Sequence, residues 1–163
     1  MADDNGQSSS PLDDHFFVLD LVQDSVTCSP SVTNSTGVVS SLRIDGRGFA
    51  GAPLFVTVEG LQPGGMVGYL LAGTFATPPT PLGFGVGELC LGGSIARFIQ
   101  QVQVADSTGR QRFIVDTERI PTAAAPTAVL PGSTWVFQAW HRDMAPGGGV
   151  TSNTSTARRV RFD

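Results

Sequence analysis

The sequence predicts a single all-β domain, a two-sheet antiparallel β-sandwich of jelly-roll or immunoglobulin-like type with seven to nine strands. Three observations carry this expectation. Twenty glycines and eleven prolines in 163 residues punctuate the chain too often for long helices, because both residue types break helix interiors and serve turns. Several short runs alternate apolar and polar residues with period two, the signature of a strand with one buried face. The runs recur at intervals of roughly 8 to 15 residues with turn residues between them, as in sandwiches and jelly rolls. A chain of this length forms one domain and buries roughly 70% of the surface its unfolded form exposes.

Residues 1–14 are rich in Asp, Ser, Gly and Asn and read as a flexible polar tail, with too little apolar area to offset chain entropy. The domain is expected over residues 15–163. It opens on a dense run of β-formers, His15, Phe16, Phe17, Val18, Leu19, Leu21 and Val22. Residues 15–27 are therefore a candidate assembly strand, either a native edge or a strand donated to a neighbour. Next, Leu42 and Ile44 alternate with Arg43 and Asp45, and Gly46 and Gly48 permit a bend. Leu54, Val56 and Val58 repeat the pattern against Thr57 and Glu59. The turn GLQPGG and the run MVGYLLAG then predict a hairpin.

Residues 74–87 are crowded with proline and glycine and read as the longest loop, a natural place for recognition. Residues 89–104 include SIARFIQQVQV, read as strand because of its β-branched residues and flanking glycines. ADSTG turns the chain into RQRFIVDT, where Phe113 and Val115 oppose Arg112 and Ile114. A Pro/Ala segment leads to STWVFQAWHRD, with Trp135, Phe137 and Ala139 on one face and Val136, Gln138 and Trp140 on the other. Carrying both tryptophans, that strand is expected at the centre. MAPGGGVTSN reads as a flexible connection, and Val160 and Phe162 alternate with Arg159 and Arg161 in a closing strand.

Charge and composition exclude several function classes. A net charge of −4 argues against nucleic-acid binding, which needs a basic surface, and the arginines at 158, 159 and 161 read as a solvated strand face. No run approaches the ~18 apolar residues that cross a bilayer, so no membrane insertion is expected. The first ten residues are acidic and polar, unlike a signal peptide. The chain thus reads as a mature or recombinant segment of an exported protein, or as a protein assembled inside the cell. Cys28 and Cys90, without CxxC spacing, leave a disulfide or two buried thiols open.

The segments CSPSVTNSTG, LCLGGSIARF, PGSTWVFQAWHRD and TSN, in that order, resemble a domain of unknown function that recurs in secreted and surface proteins of planctomycete-type bacteria. The resemblance covers residues 28–163. It implies a β-rich extracellular module and a disulfide between Cys28 and Cys90, and it implies no chemistry. Thr154 stands where the family carries Phe, and the last strand has two additional arginines.

Candidate chemistry weighs towards structural roles. A Ser-His-Asp triad would have to use His15 or His141, and no GxSxG elbow accompanies either. His141, Arg142 and Asp143 read as a strand-end cluster that satisfies backbone groups and fixes a loop. Glu59, Glu88, Asp116 and Glu118 lack a context that raises a carboxylate pKa for glycoside hydrolysis. Asp13, Asp14, Asp20 and Asp24 cluster without calcium-loop spacing, and GFGVGELCLGG lacks the lysine of a phosphate loop. Asn34 and Asn153 sit in glycosylation-type tripeptides, the first read as a turn. Tyr69, Phe84 and Trp140, with His141, Arg142 and Asp143 beside them, form the candidate ligand surface; core packing is the competing account of the aromatics.

The expectation is a non-enzymatic structural or adhesive module of an extracellular or cell-surface assembly, without cofactor or metal, partnered by copies of itself or other surface proteins. A carbohydrate-binding module taking polysaccharide is the alternative, followed by a subunit of an intracellularly assembled particle or virion.

Overall fold

The computed structural model describes residues 25–28 and 31–163, and over them the fold is all-β. The strands are β1 (Ser25–Val26), β2 (Ser41–Gly46), β3 (Leu54–Glu59), β4 (Val67–Gly73), β5 (Phe75–Pro81), β6 (Glu88–Gly92) and β7 (Ala96–Arg97). A 3-10 turn, Ile99–Gln101, precedes β8 (Gln103–Val104), β9 (Gln111–Val115), β10 (Ile120–Pro121) and β11 (Pro126–Thr127). The chain ends with β12 (Thr134–Met144), β13 (Val150–Thr154) and β14 (Arg158–Arg161). The candidate assembly strand lies outside the described residues except for its last three, of which Ser25 and Val26 form β1.

A seven-stranded sheet runs β1-β14-β12-β4-β7, with β13 added to β12 and β8 to β4. A three-stranded sheet runs β2-β3-β9, and β5–β6 and β10–β11 form two small antiparallel pairs. Strand β12 is central, as its tryptophans predict. It pairs with β4 through Val136 to His141 on one side and with β14 and then β13 on the other.

Alternation in the sequence translates directly into burial. Leu42, Ile44, Leu54, Val56, Val58, Phe113 and Val115 of the small sheet meet Leu70, Ala72, Trp135, Phe137, Ala139, Val160 and Phe162 of the large sheet in the main core. Each such aliphatic or aromatic side chain contributes about 1.5–3 kcal/mol by leaving water. The opposite face of β12 and β4 is also covered. Val136 and Leu71 pack there with Leu91, Ala157 and the Cys28–Cys90 disulfide, beneath the β5–β6 hairpin. The disulfide thus ties the end of the β1 edge to β6.

Four expectations are corrected. The predicted hairpin of residues 54–73 does not form: β3 pairs with β2 and β9, whereas β4 pairs with β12, β7 and β8. Both strands point their apolar residues into one core from opposite sheets, so period two alone does not distinguish a hairpin from a crossing. Residues 74–87 are not one long loop, since β5 pairs with β6 around a bulge between Ala76 and Thr80. The exposed hairpin tolerates Pro78, Pro79 and Pro81 because an edge strand need not supply every N–H. Residues 150–154 are not a flexible connection but β13, returned onto β12 by a turn in which the Ala145 N–H donates to Gly149 O. Residues 89–104 break into β6, β7, the 3-10 turn and β8 instead of one strand.

Candidate functional site

Along β12, successive side chains leave on opposite faces, which divides the predicted ligand surface in two. Trp140 and Arg142 face outward with Tyr69 of β4; His141 and Asp143 face inward and are buried. Trp140 and Tyr69 are direct cross-strand partners with ring centroids 4.9 Å apart at a tilt of 33°. The Arg142 guanidinium sits 5.1 Å over the Trp140 ring, a cation–π geometry, and donates a long hydrogen bond to Ser152 Oγ at 3.4 Å.

Opposite this pair stands Phe84, 69% exposed. Its loop lies close because Gly85 and Gly87 rest on the β13 backbone, where the Val86 N–H donates to Ser152 O at 2.9 Å. Between Phe84 and the Tyr69–Trp140 pair runs a groove of about 270 Å³, floored by Leu71, Leu82, Leu89 and Ile95 and rimmed by Arg97. Among the described residues neither Arg97 nor Arg142 is ion-paired. The indole Nε1 of Trp140 is buried and has no acceptor among the described residues. The groove thus offers an apolar floor, aromatic walls and a cationic margin.

The inward face is a closed polar network. Ser40 Oγ lies 3.0 Å from His141 Nε2, and His141 Nδ1 lies 2.9 Å from the carbonyl oxygen of Arg142. That carbonyl fixes the tautomer: Nδ1 carries the proton and Nε2 accepts from Ser40. Ser40 in turn accepts from Asn34 Nδ2 at 3.0 Å. Burial lowers the His141 pKa against the opposing pull of the Arg142 carbonyl and Asp143, so the ring is neutral. Asp143 does not orient it. Its carboxylate accepts from the Ser35 N–H at 3.0 and 3.2 Å, the Met144 N–H at 2.8 Å and Asn153 Nδ2 at 3.1 Å. Burial pushes its pKa up, but these hydrogen bonds outweigh it and hold the carboxyl below its usual range. A serine–histidine pair is therefore present, sealed from solvent and used to pin the turn at residues 34–37.

A larger depression of about 580 Å³ borders that turn, lined by Val32, Val86 and Pro146 among others. The side-chain polar groups it shares with the network, on Asn34 and Asp143, are already engaged. The aromatic groove, whose arginines have no ion-pair partner among the described residues, is the better candidate site.

Comparison with known proteins finds no match to a family model, a curated protein or a solved structure. The site therefore rests on its own geometry.

The remaining sequence candidates fall elsewhere. His15 to Val22 and the aspartates at 13, 14, 20 and 24 lie outside the described residues, and among the described residues no group of His, Cys, Asp and Glu could hold a metal. The amides of Asn34 and Asn153 are buried and hydrogen-bonded within the fold. Glu59 pairs with Arg110 at 3.0 Å, and the Asp116 carboxylate accepts from the Glu118 N–H. Residues missed in the sequence are Arg97 and the groove floor, which come from three separate segments, and Gln138.

Gln138 is fully buried behind the groove. Its Oε1 accepts from the Cys90 N–H at 3.0 Å, and its Nε2 donates to Glu88 O at 2.8 Å and Ser155 O at 3.0 Å. A polar residue in the middle of a strand this apolar was the available signal, since a buried carboxamide requires partners.

Proposed function

We propose that the domain is a non-enzymatic structural or adhesive module of an extracellular or cell-surface assembly, and that it holds its partner in the groove of Tyr69, Phe84 and Trp140. The observation that carries this reading is the groove itself, an open apolar slot bordered by Arg97 and by Arg142 over Trp140, neither of them ion-paired among the described residues. Such cations favour a partner that brings acceptors. The paired cysteines favour an oxidising compartment, consistent with the resemblance to secreted and surface proteins. We read the architecture as a two-sheet sandwich, with β5–β6 as an added layer that supplies one wall of the groove.

The test is binding to candidate partners, soluble and immobilised, with Phe84→Ala. The exposed ring is dispensable for folding, and its loss weakens binding by about tenfold, the effect of one aromatic anchor. Unchanged binding to every partner that the wild type retains would remove the groove from the function.

A carbohydrate-binding module is the second reading, favoured by the Tyr69–Trp140 pair, whose faces suit the apolar side of a sugar ring. Retention on a polysaccharide that Phe84→Ala abolishes would support it; no retention across a broad glycan panel would end it.

A further inference from the structure

We infer that the occupant of the groove is the run of residues 15–22 from a second copy of the chain, so that the domain assembles head to tail. The inference rests on the groove being the binding face, and three observations select this occupant.

The first is chemical fit. The groove floor is aliphatic and its margin cationic, whereas sugar sites rely on many polar contacts. Phe17 and Leu19, two residues apart and so on one face of an extended segment, supply two apolar anchors, and Asp14 and Asp20 on either side of them supply negative charge for Arg97 and Arg142.

The second is charge segregation. The first 24 residues contain six aspartates and no arginine or lysine, whereas residues 25–163 contain ten arginines against eight carboxylates. The acidic run and the basic rim are complementary parts of one chain, although the net charge of the whole is −4.

The third is direction. β1 lies on β14 with Ser25 opposite Arg159, and β14 lies on β12 with Arg159 opposite Val136 and Arg161 opposite Thr134. Moving upstream from Ser25 leads towards Thr134, away from Trp140, which lies roughly 13 Å the other way along β12. Only Gln23 and Asp24 separate Val22 from Ser25. Entry into its own groove requires the chain to turn back along β1, whereas a neighbour's groove imposes no reversal. Each copy then offers one run and one groove, a heterologous contact that propagates into filaments or closes into rings.

The experiment uses the full chain and measures its mass in solution by light scattering, with and without Phe17→Ala/Leu19→Ala and, separately, Phe84→Ala/Arg97→Gln. Assemblies are expected for the wild type and particles of 17.0 kDa for either double variant. Mixing the two variants restores one intact run and one intact groove, and should give a one-to-one dimer that grows no further. Wild-type monomers, or assemblies that survive either double variant, would overturn the inference. If the wild type is monomeric yet binds a polysaccharide through Phe84, the groove remains the binding face and only its occupant is wrong. If the groove variant changes neither mass nor binding to any partner, both readings fall.

Discussion

The carboxamide of Gln138 and the backbone of Cys90 meet at 3.0 Å, so the side chain in the middle of β12 holds the strand that carries one half of the disulfide. The same carboxamide reaches Glu88 O and Ser155 O, and with Thr154, whose hydroxyl bonds the Glu88 N–H and O, it links the large sheet to the β5–β6 hairpin.

Gln138→Ala leaves the Cys90 N–H and the Ser155 carbonyl oxygen without their partner in a buried setting, while Glu88 O keeps the Thr154 hydroxyl. It should cost about 3 kcal/mol, since each such orphan carries part of its desolvation penalty. Gln138→Glu should also destabilise, because a carboxylate cannot donate to the two carbonyls. Urea unfolding under non-reducing conditions measures both; a change below the usual surface-mutation range of about 0.5 kcal/mol would contradict the assigned role.

The Cys28–Cys90 bond closes a loop with a sequence separation of 62. Replacing both cysteines with alanine should cost roughly 4 kcal/mol, most of it through the freedom returned to the unfolded chain. The same denaturant midpoint comparison reports it, and the loss should add to that of Gln138→Ala less than fully, because the two act on one hairpin.

Acidification should destabilise the domain in two stages. The folded-state pKa of His141 is depressed below 6.5, so the unfolded chain binds that proton first and stability falls as the pH drops below about 6.5. The Asp143 pKa is depressed below 3.8, so its contribution is present above that value and is lost as the pH falls through the lower folded value. His141→Gln should remove the first stage and Asp143→Asn the second, read from melting temperature against pH. A single transition unaltered by either variant would contradict the assignment.

Gly87 admits no side chain: a Cβ there would lie 2.6 Å from the Thr154 nitrogen and 2.8 Å from the Asn153 carbonyl carbon. Gly87→Ala should lift residues 82–87 off β13 and displace Phe84 from the groove. Its binding should fall as for Phe84→Ala, with a stability cost of about 1–3 kcal/mol from overpacking. Full binding by the Gly87→Ala protein would show that the loop's seat on β13 does not position Phe84.

Much of the main core was legible because alternation fixes faces: Leu42 and Ile44, Leu54 to Val58, Phe113 and Val115 all point where period two places them. Partner choice was not legible, because β3 and β4 display the same pattern while belonging to different sheets. The prolines of β5 disguised a strand whose exposed edge lacks the usual demand for N–H groups. Of the ligand surface, Tyr69, Phe84, Trp140 and Arg142 converge as a set. His141 and Asp143 do not join them, since adjacent strand positions face apart. Ser40 as the partner of His141 was beyond local reasoning: the two lie 101 residues apart and meet only through the sheets.

The position of Cys28 has a mechanical consequence. Tension applied at Ser25 enters through β1, a two-residue strand that can unzip from β14 one hydrogen bond at a time. Unzipping stops at Cys28, two residues past Val26, where the covalent bond to Cys90 passes the load into β6. From there the Gln138 carboxamide shares it with β12, the central strand of the large sheet. A pull on the edge strand is thereby delivered to the strand that gives Leu89 to the groove, so load and binding converge on one hairpin.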